Sequence, residues 1–206
     1  MKPYSFFIIL LSSLFTVSVT AQENTASFLQ QFSVEVGSGY HLPFSPNKDL
    51  STSDYSGLGG FNVGANYAHN DLWGIRISYA NNTFVDKNDK SNKFTIQKVM
   101  TEATFNILQS AQPQPTAFDI MAHTGVGVSL GNGHYLTDTD KMINFQIGLM
   151  PLYRITTNLS IQLDATYILN FQQNQGYNGQ YLYDDIRDVT GSYFLLNMGL
   201  GVRLAF

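Results

Sequence analysis

The chain has 206 residues, no cysteine and a formal net charge of −4. Only 13% of its residues are charged while 14% are aromatic, about half the charge of an average soluble domain and far from the composition of a disordered chain. Without cysteine there can be no disulfide, thiolate zinc site or Cys nucleophile, and without a basic block nucleic acid has no electrostatic footprint to bind.

The amino end reads as an export signal. Lys2 supplies the positive charge, an apolar run extends from Phe6 to Val19, and Val19-Thr20-Ala21 places small residues before a cut. Ser12, Ser13, Thr16 and Ser18 dilute the run below what a spanning helix needs. Residues 1–21 are therefore predicted to be a signal peptide cleaved after Ala21, and residues 22–206 a single domain. Beyond Ala21 no apolar run approaches the roughly 18 residues of a helical span. The mature chain is then either secreted and soluble, or crosses a membrane as a closed barrel.

Along the mature chain the repeating signal has period two, the signature of strands. Phe32, Val34 and Val36 alternate with Ser33 and Glu35. Phe61, Val63, Ala65 and Tyr67 alternate with Gly60, Asn62, Gly64 and Asn66. Trp73, Ile75, Ile77 and Tyr79 oppose Gly74, Arg76 and Ser78. Val99, Ala103, Phe105 and Ile107 oppose Lys98, Glu102, Thr104 and Asn106. Phe118, Ile120, Ala122, Val126 and Val128 oppose Asp119, His123, Gly125, Gly127 and Ser129. Ile143, Phe145, Ile147 and Leu149 oppose Asn144, Gln146 and Gly148. The last two strands carry Leu159 to Leu169 against Ser160, Gln162, Asp164 and Thr166, then Leu196 to Phe206 against Asn197, Gly199, Gly201 and Arg203. The prediction is an all-β chain folded as an eight-stranded antiparallel up-and-down transmembrane β-barrel, with strands of about 10–12 residues.

Predicted connections differ in length. His69-Asn70-Asp71 and Arg154 to Asn158 are tight, and Leu108 to Thr116 is intermediate. His41–Ser56, Asn81–Asn92, Gly131–Lys141 and Gln172–Ser192 are long and polar. Short turns on one rim and long loops on the other are the habit of outer-membrane barrels. A soluble lipocalin-like barrel has the same strand count, but its polar face should carry Lys, Glu, Arg and Asp toward water. Here the polar face is mostly Gly, Asn, Gln and Ser, which suits a crowded interior, and the apolar face is nearly free of charge, which suits lipid. Tyr67, Trp73, Tyr79, Tyr153, Tyr167 and Phe171 sit where interfacial girdles form.

The terminal alternation ending in Phe206 resembles the assembly signal of bacterial outer-membrane barrels. The stretch Met121-Ala122-His123-Thr124-Gly125-Val126-Gly127, Asp140-Lys141-Met142, Gly148-Leu149-Met150-Pro151-Leu152-Tyr153, and on into Leu159-Ser160-Ile161 and Asp164, is similar to the eight-stranded membrane domain of OmpA-type proteins of Gram-negative bacteria. The resemblance covers nearly all of the mature chain and implies residence in the cell outer membrane and insertion by the barrel assembly machinery through the C-terminal strand. Long members of that family continue into a peptidoglycan-binding domain, which is not expected here.

The lumen-facing ionisable set is Glu35, Arg76, Lys98, Glu102, Asp119, His123, Asp164 and Arg203. Two charge clusters are expected: Arg76 beside Glu102, and Arg203 between Asp164 and Glu35, because a confined interior tolerates charge only when paired. They would be a static plug or a gate across a narrow pore, with the plug favoured because eight-stranded interiors are normally filled. Catalysis finds little support: His123 and Ser129 share a face but lie about 20 Å apart along a strand, and His41 and His134 fall in predicted outer loops. Asp138, Asp140, Asp184, Asp185 and Asp188 match no calcium-loop spacing, so no metal or cofactor is expected. The loop over residues 172–192, with Tyr177, Asn178, Tyr181 and Tyr183, has the composition of a recognition surface for a ligand the sequence does not name. The reading is a non-enzymatic, monomeric envelope barrel in contact with outer-membrane lipid. Alternatives are a narrow diffusion pore, a surface adhesion module and a soluble lipocalin-like binder.

Overall fold

A computed structural model describes residues 31–44, 54–112, 116–134, 137–182 and 189–204. The predicted signal peptide, Tyr183, Asp184, Asp185, Asp188 and Phe206 lie outside them. Eight strands follow one another: β1 (Phe32–Phe44), β2 (Tyr55–Ala68), β3 (Trp73–Asp86), β4 (Lys93–Asn106), β5 (Phe118–Gly133), β6 (Asp140–Arg154), β7 (Leu159–Gln173) and β8 (Val189–Arg203), with a short helix α1 (Ile107–Ala111) between β4 and β5. Each strand pairs antiparallel with the next and β8 pairs with β1, so the sheet closes. Closure removes every edge, which hydrocarbon demands because an unpaired N–H or C=O there costs several kcal/mol.

The register sets the shape. Crossing the sheet through paired residues from Ser33 leads to Asn66, Arg76, Glu102, Gly125, Gln146, Ile168 and Tyr193, and returns to β1 at Pro43. The stagger around the barrel is 43 − 33, or ten residues. With a rise of about 3.3 Å per residue and strands about 4.8 Å apart, eight strands with that stagger tilt by roughly 40°.

Alternation places the faces as the sequence predicts. Leu200, Ile161 and Ile75, 47%, 42% and 51% exposed, point outward. Glu35, Arg76, Glu102, His123 and Asp164 are buried inside. At the end carrying the short turns, Phe32 meets Tyr67 at 5.0 Å between ring centroids, Trp73 meets Phe105 at 4.6 Å, and Phe118 pairs with Tyr153. These rings form the girdle at what is, by its short turns, the periplasmic rim. The turns there are locally encoded. The Asn70 carboxamide accepts from the amides of Leu72 and Trp73, the Thr156 hydroxyl from those of Asn158 and Leu159, and the Asn106 carboxamide caps α1 through Gln109.

The strands run 13 to 16 residues, longer than expected, and the extra length lies at the far end. All four predicted long loops shrink accordingly at described positions: β1 takes in His41, β3 continues to Asp86, β5 to Gly133, and β8 begins at Val189. At roughly 40° of tilt a 14-residue strand rises about 35 Å, against an apolar band of about 25 Å. The barrel therefore stands clear of the bilayer on the extracellular side. There β3 to β6 invert their phase. Thr83, Thr95, Asn132 and Lys141 face outward, while Phe84, Phe94, Ile96 and Met142 are buried inside. Above the membrane the outer solvent is water, so the same closed sheet turns its apolar side inward, as a soluble barrel does. The expectation of a uniformly amide- and glycine-lined lumen is corrected by this apolar upper third.

Among the described residues no helix is long and apolar enough to cross a membrane, and the spanning is done by strands.

Candidate functional site

The lumen has three storeys. At the periplasmic mouth an open vestibule of about 440 Å³ is bordered by residues including Asn66, Thr104, Asp119, Met150, Arg154 and Arg203. Asp119 forms an ion pair with Arg154, whose guanidinium also donates to the Thr116 carbonyl at 2.7 Å.

Above the vestibule the charges converge on one guanidinium. Arg76 contacts Glu35 at 2.5 Å, Glu102 at 3.5 Å and Asp164 at 3.1 Å. Both terminal nitrogens of Arg76 reach the same Asp164 oxygen, Oδ2. His123 completes the ring. Its Nδ1 lies 2.7 Å from Glu102 and its Nε2 3.1 Å from Asp164, an arrangement in which a doubly protonated imidazole donates to both carboxylates. Further donors meet one oxygen of each carboxylate, while Glu35 Oε1 has only its ion-pair contact with Arg76, and Arg76 Nε is buried without a hydrogen-bond partner among the described residues. Ser78 donates to Glu102 at 2.9 Å, Thr166 donates to Asp164, and Asn66 and Gln162 donate to Glu35 at 3.1 and 3.0 Å. Small residues make room for the network: a Cβ on Gly64 would come within 2.7 Å of Glu35 Oε1, and one on Gly148 would strike the His123 ring. Lys98 stands apart, donating to Gln146 at 2.8 Å with its ammonium 5.7 Å from the Tyr193 ring centroid.

The expected pair of clusters is thus a single cluster. Arg76 meets Glu102 at 3.5 Å, and Glu35 and Asp164 also go to Arg76, not to Arg203. β3 and β7 are four strands apart in a ring of eight, so Arg76 reaches Asp164 across the lumen. Arg203 pairs in register with Ser33 at the periplasmic end and is exposed. Arg203→Ala is accordingly expected to shift stability by less than about 0.5 kcal/mol, as for exposed positions generally, in a urea titration of the vesicle-embedded barrel. His123 was legible as lumen-facing, but its bridging position was not. Arg154, at the end of its strand, gave no period-two signal.

The third storey is apolar. Tyr55, Phe84, Phe94, Ile96, Met142, Ile168, Tyr177, Tyr193 and Leu195 pack together under the extracellular end. Tyr177 comes from the β7–β8 connection, expected to be a surface loop, yet it is 0% exposed. Its ring centroid is 4.7 Å from Phe84 and 6.3 Å from Phe94, and its hydroxyl donates to the Ser192 carbonyl at 2.7 Å. Of the same connection, Tyr181 is outside and donates to Asp138 at 2.7 Å, a bond that raises its phenol pKa. His41, expected in a loop, is buried on β1 and donates from Nε2 to the Thr83 carbonyl at 2.7 Å. Among the described residues no group of three or more His, Asp and Glu side chains is placed to hold a metal ion.

Closed strands with an apolar, uncharged belt outside and a filled polar core inside define a transmembrane β-barrel of the outer-membrane kind. Solved structures share the architecture. Neisserial surface protein A superposes with a TM-score of 0.58 at 15% identity, covering 84% of this chain and 97% of its own. A major outer membrane protein from Thermus thermophilus does so with a TM-score of 0.54 at 16% identity, covering 84% and 98%. No protein-family model matches the chain, and no curated protein matches its sequence.

Proposed function

We propose that this protein is a non-enzymatic structural barrel of the cell outer membrane whose lumen is closed. The observation that carries this reading is the double obstruction: the Arg76 cluster bridges the lumen at mid-height, and the Tyr177-centred apolar cluster fills it above. Paired, hydrogen-bonded charge in a lumen this narrow tethers β1, β3, β4, β5 and β7 to one another and so holds the strands in register. The lipid-facing belt makes outer-membrane lipid its constant partner, and a closed sheet is complete as a monomer. Insertion through the barrel assembly machinery, read from the C-terminal strand and Phe206, belongs to the same proposal, as does export by a signal peptide ending at Ala21.

Purified protein reconstituted in planar bilayers is expected to give no conductance above the lipid background. Stable unitary channels that Glu102→Ala alters would replace the closed barrel with the diffusion-pore reading. Surface recognition is the second reading, supported by the 51% exposed ring of Tyr181 at the extracellular end. It predicts cell or matrix attachment that Tyr181→Ser reduces.

A further inference from the structure

The segment joining β7 to β8 behaves as a strap with a side chain in a socket. It leaves β7 through a bulge between Asn170 and Gln173, where Gln172 has a left-handed φ of 63°, a conformation costly for a residue with a Cβ. The bulge turns Gln173 inward, and Gln175 and Tyr177 follow, all buried. A bridge between Gln175 and Tyr181 and the positive φ of Gly179, 71°, return the chain. What fastens the strap is polar, and lies at the adjoining ends of β5 and β6. Asp140 accepts from the amides of Asn174 and Gln175 at 2.7 and 2.9 Å and from the Asn174 carboxamide at 3.2 Å. The Gln175 carboxamide bridges the Gly133 amide and the Asp138 carbonyl.

The socket is built by the inner face of the barrel wall. Phe84, Phe94 and Tyr193 come from β3, β4 and β8, and His41 stacks edge-on to Phe84 at 4.8 Å. Tyr193 is itself held by Asn82 at 3.1 Å. One carbonyl acceptor, that of Ser192, meets the phenol hydroxyl. With Nε2 of His41 donating to Thr83, its Nδ1 is a buried acceptor with no donor among the described residues. The wall thus presents rings spaced for one aromatic ring and a carbonyl acceptor for its hydroxyl, and its present occupant is carried on a segment held by polar bonds to the ends of β5 and β6 and the loop between them.

We infer that the extracellular end of the lumen is a binding site for a single phenolic ring, a tyrosine-like group, which Tyr177 occupies in cis and thereby blocks. A ligand of that class competes with the strap, and its binding lifts residues 174–182 while leaving the Arg76 cluster shut. The site therefore does not require the barrel to conduct.

The test uses the full barrel in lipid nanodiscs, with 4-hydroxyphenylacetamide and its 4-methoxy counterpart as probes, read by amide NMR shifts. Tyr177→Ala vacates the socket and should bind the hydroxyl probe at least about tenfold tighter than wild type, and at least about tenfold tighter than the methoxy probe, which cannot donate to a buried acceptor. Failure of Tyr177→Ala to bind, or equal binding of the two probes, overturns the inference and leaves Tyr177 as core packing alone. If Tyr177→Ala does not fold, Tyr177→Phe retains the ring and removes the donor; the strap should then compete less well and probe affinity should rise. No rise over wild type would also overturn it.

Discussion

Arg76→Ala is expected to be the most damaging single substitution in the lumen, costing about 3–5 kcal/mol, the usual effect of leaving a buried ion-pair network without one partner. Among the described residues the guanidinium is the one group that touches Glu35, Glu102 and Asp164 together. Its removal leaves three buried carboxylates, of which Glu102 and Asp164 keep a contact with His123. Arg76→Lys should recover only part of the loss. An ammonium cannot place two nitrogens on Asp164 while also reaching Glu35, as the planar fork does. The measurement is urea unfolding in lipid vesicles followed by heat-modifiable migration on a gel, with Arg203→Ala beside it. A midpoint for Arg76→Ala equal to wild type would mean that water screens the carboxylates and that the cluster does not hold the barrel together.

The second large effect concerns the outer wall. Ile77 lies midway between Trp73 at the periplasmic girdle and Asn81 at the upper edge of the belt, and is exposed. Ile77→Arg should cost about 2–4 kcal/mol, because a guanidinium at mid-bilayer loses its hydration, whereas Asn81→Arg, near the interface, should cost about 0–1 kcal/mol. Both residues face outward on one strand, so a barrel in water would tolerate the two equally. Equal, small effects in vesicles would therefore refute membrane embedding, and would do so without reference to the lumen.

The two substitutions also mark how legible the molecule was. Ile77 against Arg76 is a neighbouring pair in a period-two pattern, and the pattern assigns each to a face without any coordinates. The Arg76–Glu102 contact was equally legible, since adjacent strands joined by a turn put the two residues opposite each other. The Asp164 contact was not, because its partner Arg76 lies across the lumen on β3, which shares no ladder with β7. Arg203 was misplaced for the complementary reason. It shares a face with Asp164 and Glu35, but register sets it opposite Ser33, at the mouth. The upper storey carried a signal that a single solvent assumption hides. Phe84, Phe94 and Ile96 fall on the opposite phase from Trp73, Ile75 and Val99 with no bulge between β3 and β4, so the inversion marks where lipid gives way to water.

Alternation, turn chemistry and the scarcity of charge were enough, by themselves, to specify eight strands, their two faces and a closed sheet, since each follows from local spacing and from what hydrocarbon forbids. Three things waited on the tertiary structure: the ten-residue stagger, the gathering of one charge cluster around Arg76, and the inward turn of Tyr177. All three depend on which residues meet across a cylinder. Closure and tilt set that distance, and neither is written in the spacing along any one strand.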